Sequence, residues 1–349
     1  MSVNTALLSS ICETPGAPGH EQRIRELVLR EIKKHADEIT IDNMGNVTAF
    51  RKGRSSAKKV MIAAHMDEIG FIVTNIDDRG FLHFIPLGGF DPKTLTAQRV
   101  IIHGRKDVIG VMGSKPIHMM SPEERNKVVP IGDYFIDLGM PKKEVEKLVR
   151  VGDTVTRERA LIEMGNCVNC KSLDNRVSVY VLIEMLRKMK KPSYDTYAVF
   201  TVQEEVGIRG VQASALAINP DFGFGLDTTI AFDVPGSKEH DRITELGKGT
   251  AIKVMDSSTI CDYRMVEFMR KTAEKHKIPY QMELLPAGGT DTAGIQRYNA
   301  GGAIAGAVSI PTRHIHQVIE MCNKDDISNS ILLLTKCIEE LHTYDWSFK

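Results

Sequence analysis

The chain has 349 residues, and its 45 lysines and arginines balance its 45 aspartates and glutamates. A chain of this length can bury a sizeable core and is expected to form one large domain with a smaller one. The charge balance excludes an overall field that attracts nucleic acid or an anionic membrane, and no apolar run has the length of a membrane span, so we expect neither partner. The N-terminal stretch lacks the pattern of a secretory signal, which predicts a cytoplasmic protein.

The N-terminal segment predicts the start of an α/β fold. Residues 21–35 are expected to form an amphipathic helix, because their apolar residues recur at helical spacing. Residues 39–50 and 60–64 are expected to form strands. The second strand contains VMIAA, which is apolar on both faces and therefore typical of a central strand covered by helices on both sides.

A different pattern occupies residues 70–162, where short alternating segments are separated by turn residues. One short helix, residues 142–149, follows Pro141. We expect this block to be a small β-barrel-like domain, inserted into an α/β domain that comprises residues 1–69 and 163–349.

From residue 177 onward, helices and strands alternate again. Helices are predicted at 177–190, 211–217, 262–276 and 327–342, and strands at 197–202, 222–226, 281–285 and 302–309. The predicted fold class is therefore α/β, with a central mixed sheet covered by helices and an inserted small β-barrel-like domain.

The six cysteines are scattered without a disulfide framework, which predicts reduced thiols. Cys167 and Cys170 form a CxxC pair, but a zinc knuckle needs a second pair, and the sequence has none. A structural or redox site at this pair is therefore the less favoured interpretation.

Potential metal ligands recur where the predicted strands end. In an open α/β sheet the carboxyl ends of the strands line one crevice, so residues far apart in the sequence converge there. Each residue alone has an ordinary explanation, such as a helix cap or a turn, but their joint recurrence favours a metal site. The candidates are His65, Asp67, Asp174, Glu204, Glu205, Asp227, His314 and His316.

The kinds of ligand indicate the metals. Carboxylates and imidazoles without a thiolate suit zinc, cobalt or manganese better than copper or an iron–sulfur cluster. Asp174, Glu205 and Asp227 carry three negative charges, which two divalent cations and one bridging hydroxide would neutralise. A single dication would leave buried negative charge, which is costly, so we expect two divalent ions per subunit.

The adjacent glutamates of TVQEEVGIRG, Glu204 and Glu205, are expected to have different roles. Neighbouring residues in an extended segment point to opposite sides, so the pair cannot comfortably bind one ion. If one glutamate ligates metal, the other can stand beside the metal-activated water and act as general base.

Six short motifs resemble, in order and spacing, those of the dimetal aminopeptidase family that includes the tetrahedral (TET), glutamyl and deblocking aminopeptidases. The motifs are AAHMDEIGF, SLDNR, QEEVGIRG, GLD, GGTD and IPTRHIH, and the likeness covers nearly the whole chain. The resemblance implies a metalloaminopeptidase that hydrolyses the N-terminal peptide bond of short peptides with two ions, zinc or cobalt above manganese.

The resemblance also implies roles for individual residues. Asp174 would bridge the two ions. Glu205 and His316 would complete one site. His65 and Asp227 would complete the other.

The same resemblance makes Glu204 the catalytic base and Asp67 the carboxylate that orients the His65 ring. It further implies a cis peptide bond between Asp174 and Asn175.

The inserted block resembles the family's dimerisation domain, and many relatives build tetrahedral dodecamers. The resemblance therefore implies a homo-oligomer in which dimers assemble further, with a dodecamer as the favoured form.

The sequence departs from the family pattern at two places, and the role of one further residue stays open. His314 stands where the family commonly has tyrosine, and it is expected to line or pack beside the pocket while His316 is the ligand. The sequence HQVIE replaces a more usual serine and proline, so the loop shape is expected to differ. Asp291 in GGTDTAG is a candidate substrate contact, with a turn or helix cap as the alternative.

Three other functions are considered. A glycosidase would use Glu204 and Glu205 as an acid and base pair, but neighbouring residues do not readily flank one bond, and the histidines stay unexplained. A metal-loaded binding or assembly protein leaves a non-ligand Glu204 without a purpose. A metal-dependent deacylase or carboxypeptidase on the related fold stays open.

Overall fold

The computed structural model describes residues 2–348, which form one large sheet, a closed barrel and the helices that cover the sheet. The strands are β1 (Glu38–Ile41), β2 (Val47–Arg51), β3 (Ser55–His65), β4 (Gly70–Ile76), β5 (Leu82–Leu87), β6 (Arg99–His103), β7 (Asp107–Gly113), β8 (Phe135–Asp137), β9 (Thr154–Arg157), β10 (Ile162–Met164), β11 (Cys167–Cys170), β12 (Tyr194–Thr201), β13 (Phe222–Ile230), β14 (Thr250–Met255), β15 (Tyr280–Leu284), β16 (Ile304–Arg313) and β17 (Glu320–Asn323). The helices are α1 (Thr5–Glu13), α2 (Gln22–Ile32), α3 (Pro122–Arg125), α4 (Lys142–Leu148), α5 (Leu173–Lys188), α6 (Gly210–Ile218), α7 (Tyr263–His276), α8 (Asp291–Arg297) and α9 (Lys324–Glu340).

The large sheet is mixed, with strand order β1-β2-β12-β3-β13-β16-β17-β11-β10, and β14 and β15 join it beside β16. Its four neighbouring strands β12, β3, β13 and β16 are parallel to one another. The flanking pairs β1–β2 and β16–β17 are antiparallel. The predicted fold class, a mixed sheet covered by helices with a small barrel, is confirmed.

Strand β3 is covered on both faces, as its sequence predicts. Val60, Ile62 and Ala64 belong to the larger core, which also contains residues of α5, α7 and α9. Met61 and Ala63 belong to a second core, built with α6 and α8. Because side chains alternate along a strand, the five apolar residues of VMIAA divide between the two cores.

The barrel is closed, with strand order β4-β5-β8-β7-β6-β9, and has a core of its own. Its first strand, β4, and its last, β9, pair with each other, with Phe71 opposite Val155. The chain therefore enters and leaves the barrel on neighbouring strands. Strand β10, which follows at Ile162, pairs with β11 in the large sheet.

The segment predicted as one strand at residues 39–50 is instead a hairpin of β1 and β2. The Asp42 carboxylate makes the turn, because its Oδ1 accepts the N–H groups of Met44, Gly45 and Asn46 at 2.9 to 3.0 Å. An aspartate that hydrogen-bonds its own following backbone is a recognised turn former, and this signal was missed.

Several elements were not predicted, notably α1, α8, β14 and β17. Helix α1 has nine residues, which is short for a helix to be stable by propensity alone. It is fixed instead by tertiary contacts, since the hydroxyl of Tyr180 accepts the N–H of its N-cap residue Asn4 at 2.8 Å. Such a contact cannot be read from local sequence.

Cys167 and Cys170 lie in β11, which pairs with β17 in the large sheet. All six cysteines are free thiols. Within residues 2–348, no helix is both long enough and apolar enough to cross a bilayer.

Candidate metal centre

The candidate ligands meet at the carboxyl end of the parallel strands. His65 is the last residue of β3, and it lies opposite Thr201, the last residue of β12. Glu204 and Glu205 follow Thr201 after a short bend, and His316 follows β16. Parallel neighbours present their carboxyl ends at one edge, which brings these residues together.

Two of the candidate ligands are placed differently from the prediction. Asp227 was expected just beyond a strand but lies inside β13, which continues to Ile230. Asp174 lies in the first turn of α5, where its own φ and ψ and those of Asn175 are not helical. The peptide bond between Asp174 and Asn175 is cis, so that prediction is confirmed.

The carboxylate of Asp174 faces two imidazoles, one with each oxygen. Its Oδ1 lies 3.6 Å from Nε2 of His65, and its Oδ2 lies 3.4 Å from Nε2 of His316. A single carboxylate between two histidines has the geometry of a ligand shared by two ions.

Two further carboxylates complete the arrangement. Asp227 Oδ1 lies 3.8 Å from Nε2 of His65, and Glu205 Oε2 lies 3.3 Å from Nε2 of His316. Two donors bound about 2.0 to 2.2 Å from a tetrahedral zinc ion are roughly 3.3 to 3.6 Å apart. The distances from Nε2 of His316 to the two carboxylates, 3.3 and 3.4 Å, lie within this range. Of the distances from Nε2 of His65, 3.6 Å lies at its upper end and 3.8 Å is slightly longer. Donor types and distances therefore fit divalent metal ions.

The electrostatics of the cluster also suit cations. Burial, followed by repulsion from neighbouring carboxylates, raises the pKa of Asp227 and of Glu204 well above their usual values. Burial opposes the charge on His316, but Glu205 and Asp174 outweigh it and raise the pKa of that imidazole to about 11. Buried carboxylates at this density need compensating positive charge.

Asp67 connects His65 to the glutamate pair. Its two carboxylate oxygens accept the N–H groups of Glu204 and Glu205, each at 3.1 Å. Its backbone oxygen lies 3.1 Å from Nδ1 of His65. When Nδ1 carries the ring proton, it donates a hydrogen bond to that oxygen. Nε2 then has a free lone pair on the side of Asp174 and Asp227. Asp67 thus holds both the ring and the glutamates.

The glutamate pair lies in a turn and not in the extended segment that the sequence suggested. Gln203 has φ of 55°, in the left-handed region, and Gly207 and Ile208 donate their N–H groups to the carbonyl of Glu204. The two side chains nevertheless face different partners. Glu205 faces His316, whereas Glu204 Oε2 lies 3.8 Å from Nε2 of His65.

Asn46 closes the base of the loop that carries the two glutamates. Its Oδ1 accepts the N–H of Val202 at 3.0 Å, and its Nδ2 donates to the carbonyl of Gly210 at 2.9 Å. Both ends of the loop are therefore fixed by one buried amide of the β1–β2 hairpin.

Glu320 was missed by the sequence analysis, although it is the glutamate of the HQVIE segment. Its Oε1 accepts the N–H of His316 at 2.8 Å, and its Oε2 accepts the N–H of Asp174 at 2.9 Å. Burial, then the neighbouring Asp174, raises its pKa to about 8. A buried glutamate in the apolar stretch VIEMC was the available signal.

The two candidate substrate residues do not line the cavity at this site. Asp291 is buried, burial raises its pKa to about 6, and it accepts the hydroxyl of Thr201. His314 is exposed, with φ of 59°, while Ile315 and His316 of the same turn are at the cavity wall.

The cavity has a volume of about 510 Å³ and contains the donor atoms on one side. Its remaining wall is largely apolar, and includes Ile208, Ile230, Leu285 and Ala287. A site with an apolar wall beside a metal-ligand cluster can hold an organic substrate against the ions.

Comparison with known proteins gives a consistent result. The model of the M42 glutamyl aminopeptidase family matches residues 45–333. A lysyl aminopeptidase from Pyrococcus furiosus is 34% identical, and the match covers 99% of each chain. The structure of an aminopeptidase from the archaeon Desulfurococcus kamchatkensis is 40% identical, with a TM-score of 0.93, over 96% of this chain and 94% of that one.

A further similar structure bears on assembly. The TET1 peptidase of Pyrococcus horikoshii is 30% identical, with a TM-score of 0.86, over 96% of this chain and 99% of that one. That peptidase is described as assembling into a tetrahedron or a large octahedral shell.

Replacement of Asp174 tests whether one carboxylate serves both halves of the centre. We expect Asp174→Ala to lose both metal ions, because each histidine loses the oxygen that faces it, whereas Glu205→Ala should lose the ion on the His316 side alone. Metal analysis after dialysis at a fixed free zinc concentration measures both variants. Two ions retained by Asp174→Ala would refute the shared ligand.

Proposed function

Because the chain belongs to the M42 glutamyl aminopeptidase family, we propose that it removes N-terminal residues from short peptides with two metal ions and a glutamate base. Family membership makes it an aminopeptidase, a hydrolase of peptide bonds. The observation that carries the mechanism is the position of Asp174 between His65 and His316, with Glu204 beside them.

The proposed metal ligands form two sets that share Asp174. One set adds His65 and Asp227, and the other adds Glu205 and His316. Zinc and cobalt suit these ligands best, and manganese also accepts them. Two ions held here would lower the pKa of a water molecule and polarise the scissile carbonyl.

Glu204 is assigned as the general base. It lies at the cavity wall, and the ligand histidine His65 is 3.8 Å away, so its carboxylate is close to the reacting atoms without facing the second histidine. Burial raises the pKa of its carboxyl group above the usual value. It takes a proton from the attacking water and passes it to the leaving amine, while Asp67 fixes its backbone.

The substrate assignments of Asp291 and His314 stay predictions. Membership of the M42 glutamyl aminopeptidase family supports a substrate with a free α-amino group, and therefore an aminopeptidase over a deacylase.

We further propose that residues 70–162 mediate self-association. The outward face of β7 carries Ile109 and Val111, which are 61% and 48% exposed, and Ile85 on β5 is 53% exposed. Exposed apolar residues on a small domain mark interaction surfaces. The TET1 relative, described as assembling into a tetrahedron or a large octahedral shell, supports a closed homo-oligomer, and a dodecamer is the favoured form by resemblance.

Glu204→Gln tests the general base. The amide keeps the shape of the side chain but cannot accept a proton, so turnover should fall by about two to four orders of magnitude while both ions remain bound. Steady-state kinetics with saturating zinc or cobalt, and metal analysis of the same sample, measure the two effects. A near-native rate in a fully loaded variant would rule out the assignment.

Acetylation of the substrate tests the requirement for a free amine. We expect an aminoacyl anilide to be cleaved at least about 100-fold faster than its N-acetyl form, because acetylation removes the charge and the basicity of the amine that an aminopeptidase recognises. Both substrates are assayed with one metal-loaded sample, and the Glu204→Gln variant is the control for contaminating activity. Equal rates, or preference for the acetylated form, would indicate a deacylase.

Replacement of Ile109 by glutamate tests the role of the barrel. A buried charge in an interface is unfavourable, so Ile109→Glu should shift the assembly toward smaller species. Ile41→Glu is the matched control, because Ile41 is 51% exposed but lies on β1 of the large sheet. Light scattering gives the masses. A monomeric native chain at micromolar concentration would overturn the proposal of self-association.

A further inference from the structure

The turn that carries His316 has an unusual backbone. His314 and His316 have φ of 59° and 64°, in the left-handed region that residues with side chains rarely adopt. Such conformations persist only where the surroundings enforce them. The position of His316 therefore depends on contacts from outside its own turn.

Two side chains hold the His316 residue, one at its N–H and the other at its carbonyl oxygen. Glu320 accepts its N–H at 2.8 Å, and Arg157 donates from Nη1 to its carbonyl oxygen at 3.0 Å. The bond from Arg157 has a charged donor, and such hydrogen bonds are stronger than neutral ones, so Arg157 is well suited to hold a strained residue.

Arg157 comes from the barrel and not from the large sheet. It is the last residue of β9 and is 2% exposed. Its guanidinium lies over the ring of Phe90, 5.5 Å from the centroid, and Phe90 stacks on Phe71 of the barrel core at 4.4 Å. The barrel therefore fixes where this arginine lies.

The barrel approaches His316 at a second point. A Cβ atom added to Gly89 would lie 3.5 Å from Nδ1 of His316, so the loop after β5 also contacts the imidazole. The barrel supplies no predicted ligand, but it is in contact with a ligand residue on two sides.

The charge of Arg157 acts on the centre as well. Its Nε and Nη2 make no hydrogen bond to any described residue, although both are buried. The carboxylates with which it interacts electrostatically are Glu320, Glu68, Glu205 and Asp174. Arg157 thus provides a positive charge within electrostatic range of the glutamate and aspartate of the His316 half of the centre.

We propose that Arg157 is a positioning residue through which the inserted barrel forms the His316 half of the metal centre. This inference rests on the proposed two-metal function. By holding the carbonyl of His316, Arg157 keeps the imidazole directed at Asp174 and Glu205, and the corresponding ion binds well only while the barrel is docked in this position.

The test compares Arg157→Met, which keeps an unbranched apolar stem and removes the guanidinium with its donors and charge, with Arg99→Met. Arg99 is the matched control because it lies on the neighbouring strand β6, pairs with Glu158 at 2.9 Å, and is 63% exposed. The metal-stripped full chains are titrated with zinc, and bound ions are counted. We expect Arg157→Met to bind one ion with affinity within about twofold of native and the second roughly 10- to 100-fold more weakly, and Arg99→Met to bind both normally.

Two further variants separate positioning from general stability. Arg157→Lys keeps the charge and one donor, so it should restore part of the affinity for the second ion. In a His316→Ala background, Arg157→Met should leave the affinity of the remaining ion unchanged, because Arg157 acts through His316. An additional loss in that background would contradict the proposal.

The remaining outcomes are also decisive. Native affinity for both ions in a folded Arg157→Met variant refutes the role of Arg157. If circular dichroism shows that neither variant folds, Arg157 serves the structure as a whole, and the proposal is wrong. A native chain that binds fewer than two ions would instead overturn the proposed two-metal function, whatever Arg157 does.

Discussion

The crowding of buried carboxylates at one edge of the sheet is the constraint on which the rest of the structure depends. An ionised carboxylate is costly to bury unless it is compensated. The fold resolves this in two ways. Asp67 and Glu320 are satisfied by backbone N–H groups, and each joins segments that lie far apart in the sequence. Asp174, Asp227 and Glu205 face imidazoles and the cavity, and their charge is the physical basis for the proposed cations.

The geometry of the centre is consequently set by backbone contacts more than by the rotamers of the ligands. Asp67 fixes the two glutamates by their N–H groups, and Asn46 fixes both ends of their loop. Glu320 does the same for Asp174 and His316. Holding the backbone leaves the side-chain oxygens and nitrogens available for the reaction, as a preorganised site requires.

Sequence reasoning succeeded where local pattern decides the structure. The continuous apolar character of VMIAA predicted a doubly covered strand, and residues at strand ends could be expected to converge because parallel strands share an edge. It failed where a residue acts through a contact distant in sequence. In the sequence, Glu320 is a glutamate in an apolar stretch and Arg157 is the end of a barrel strand. Only the folded chain shows that both side chains hydrogen-bond the backbone of His316. The turn at Glu204 was missed for a related reason, since the N–H of Glu204 is bound by Asp67, which is far away in the sequence.

The pairing of β4 with β9 has a consequence for how such a chain can arise and be rebuilt. Neighbouring strands are about 4.8 Å apart, so the two ends of the inserted barrel lie as close together as the two strands of a hairpin. Insertions whose two ends lie close together disturb their host little. The same two connections leave from Gly70, just after Asp67, and return at Arg157. An exchange of the barrel for a related one would therefore preserve the large sheet. The metal centre would be complete only if the last strand of the new barrel ended in a side chain able to reach the turn at His316.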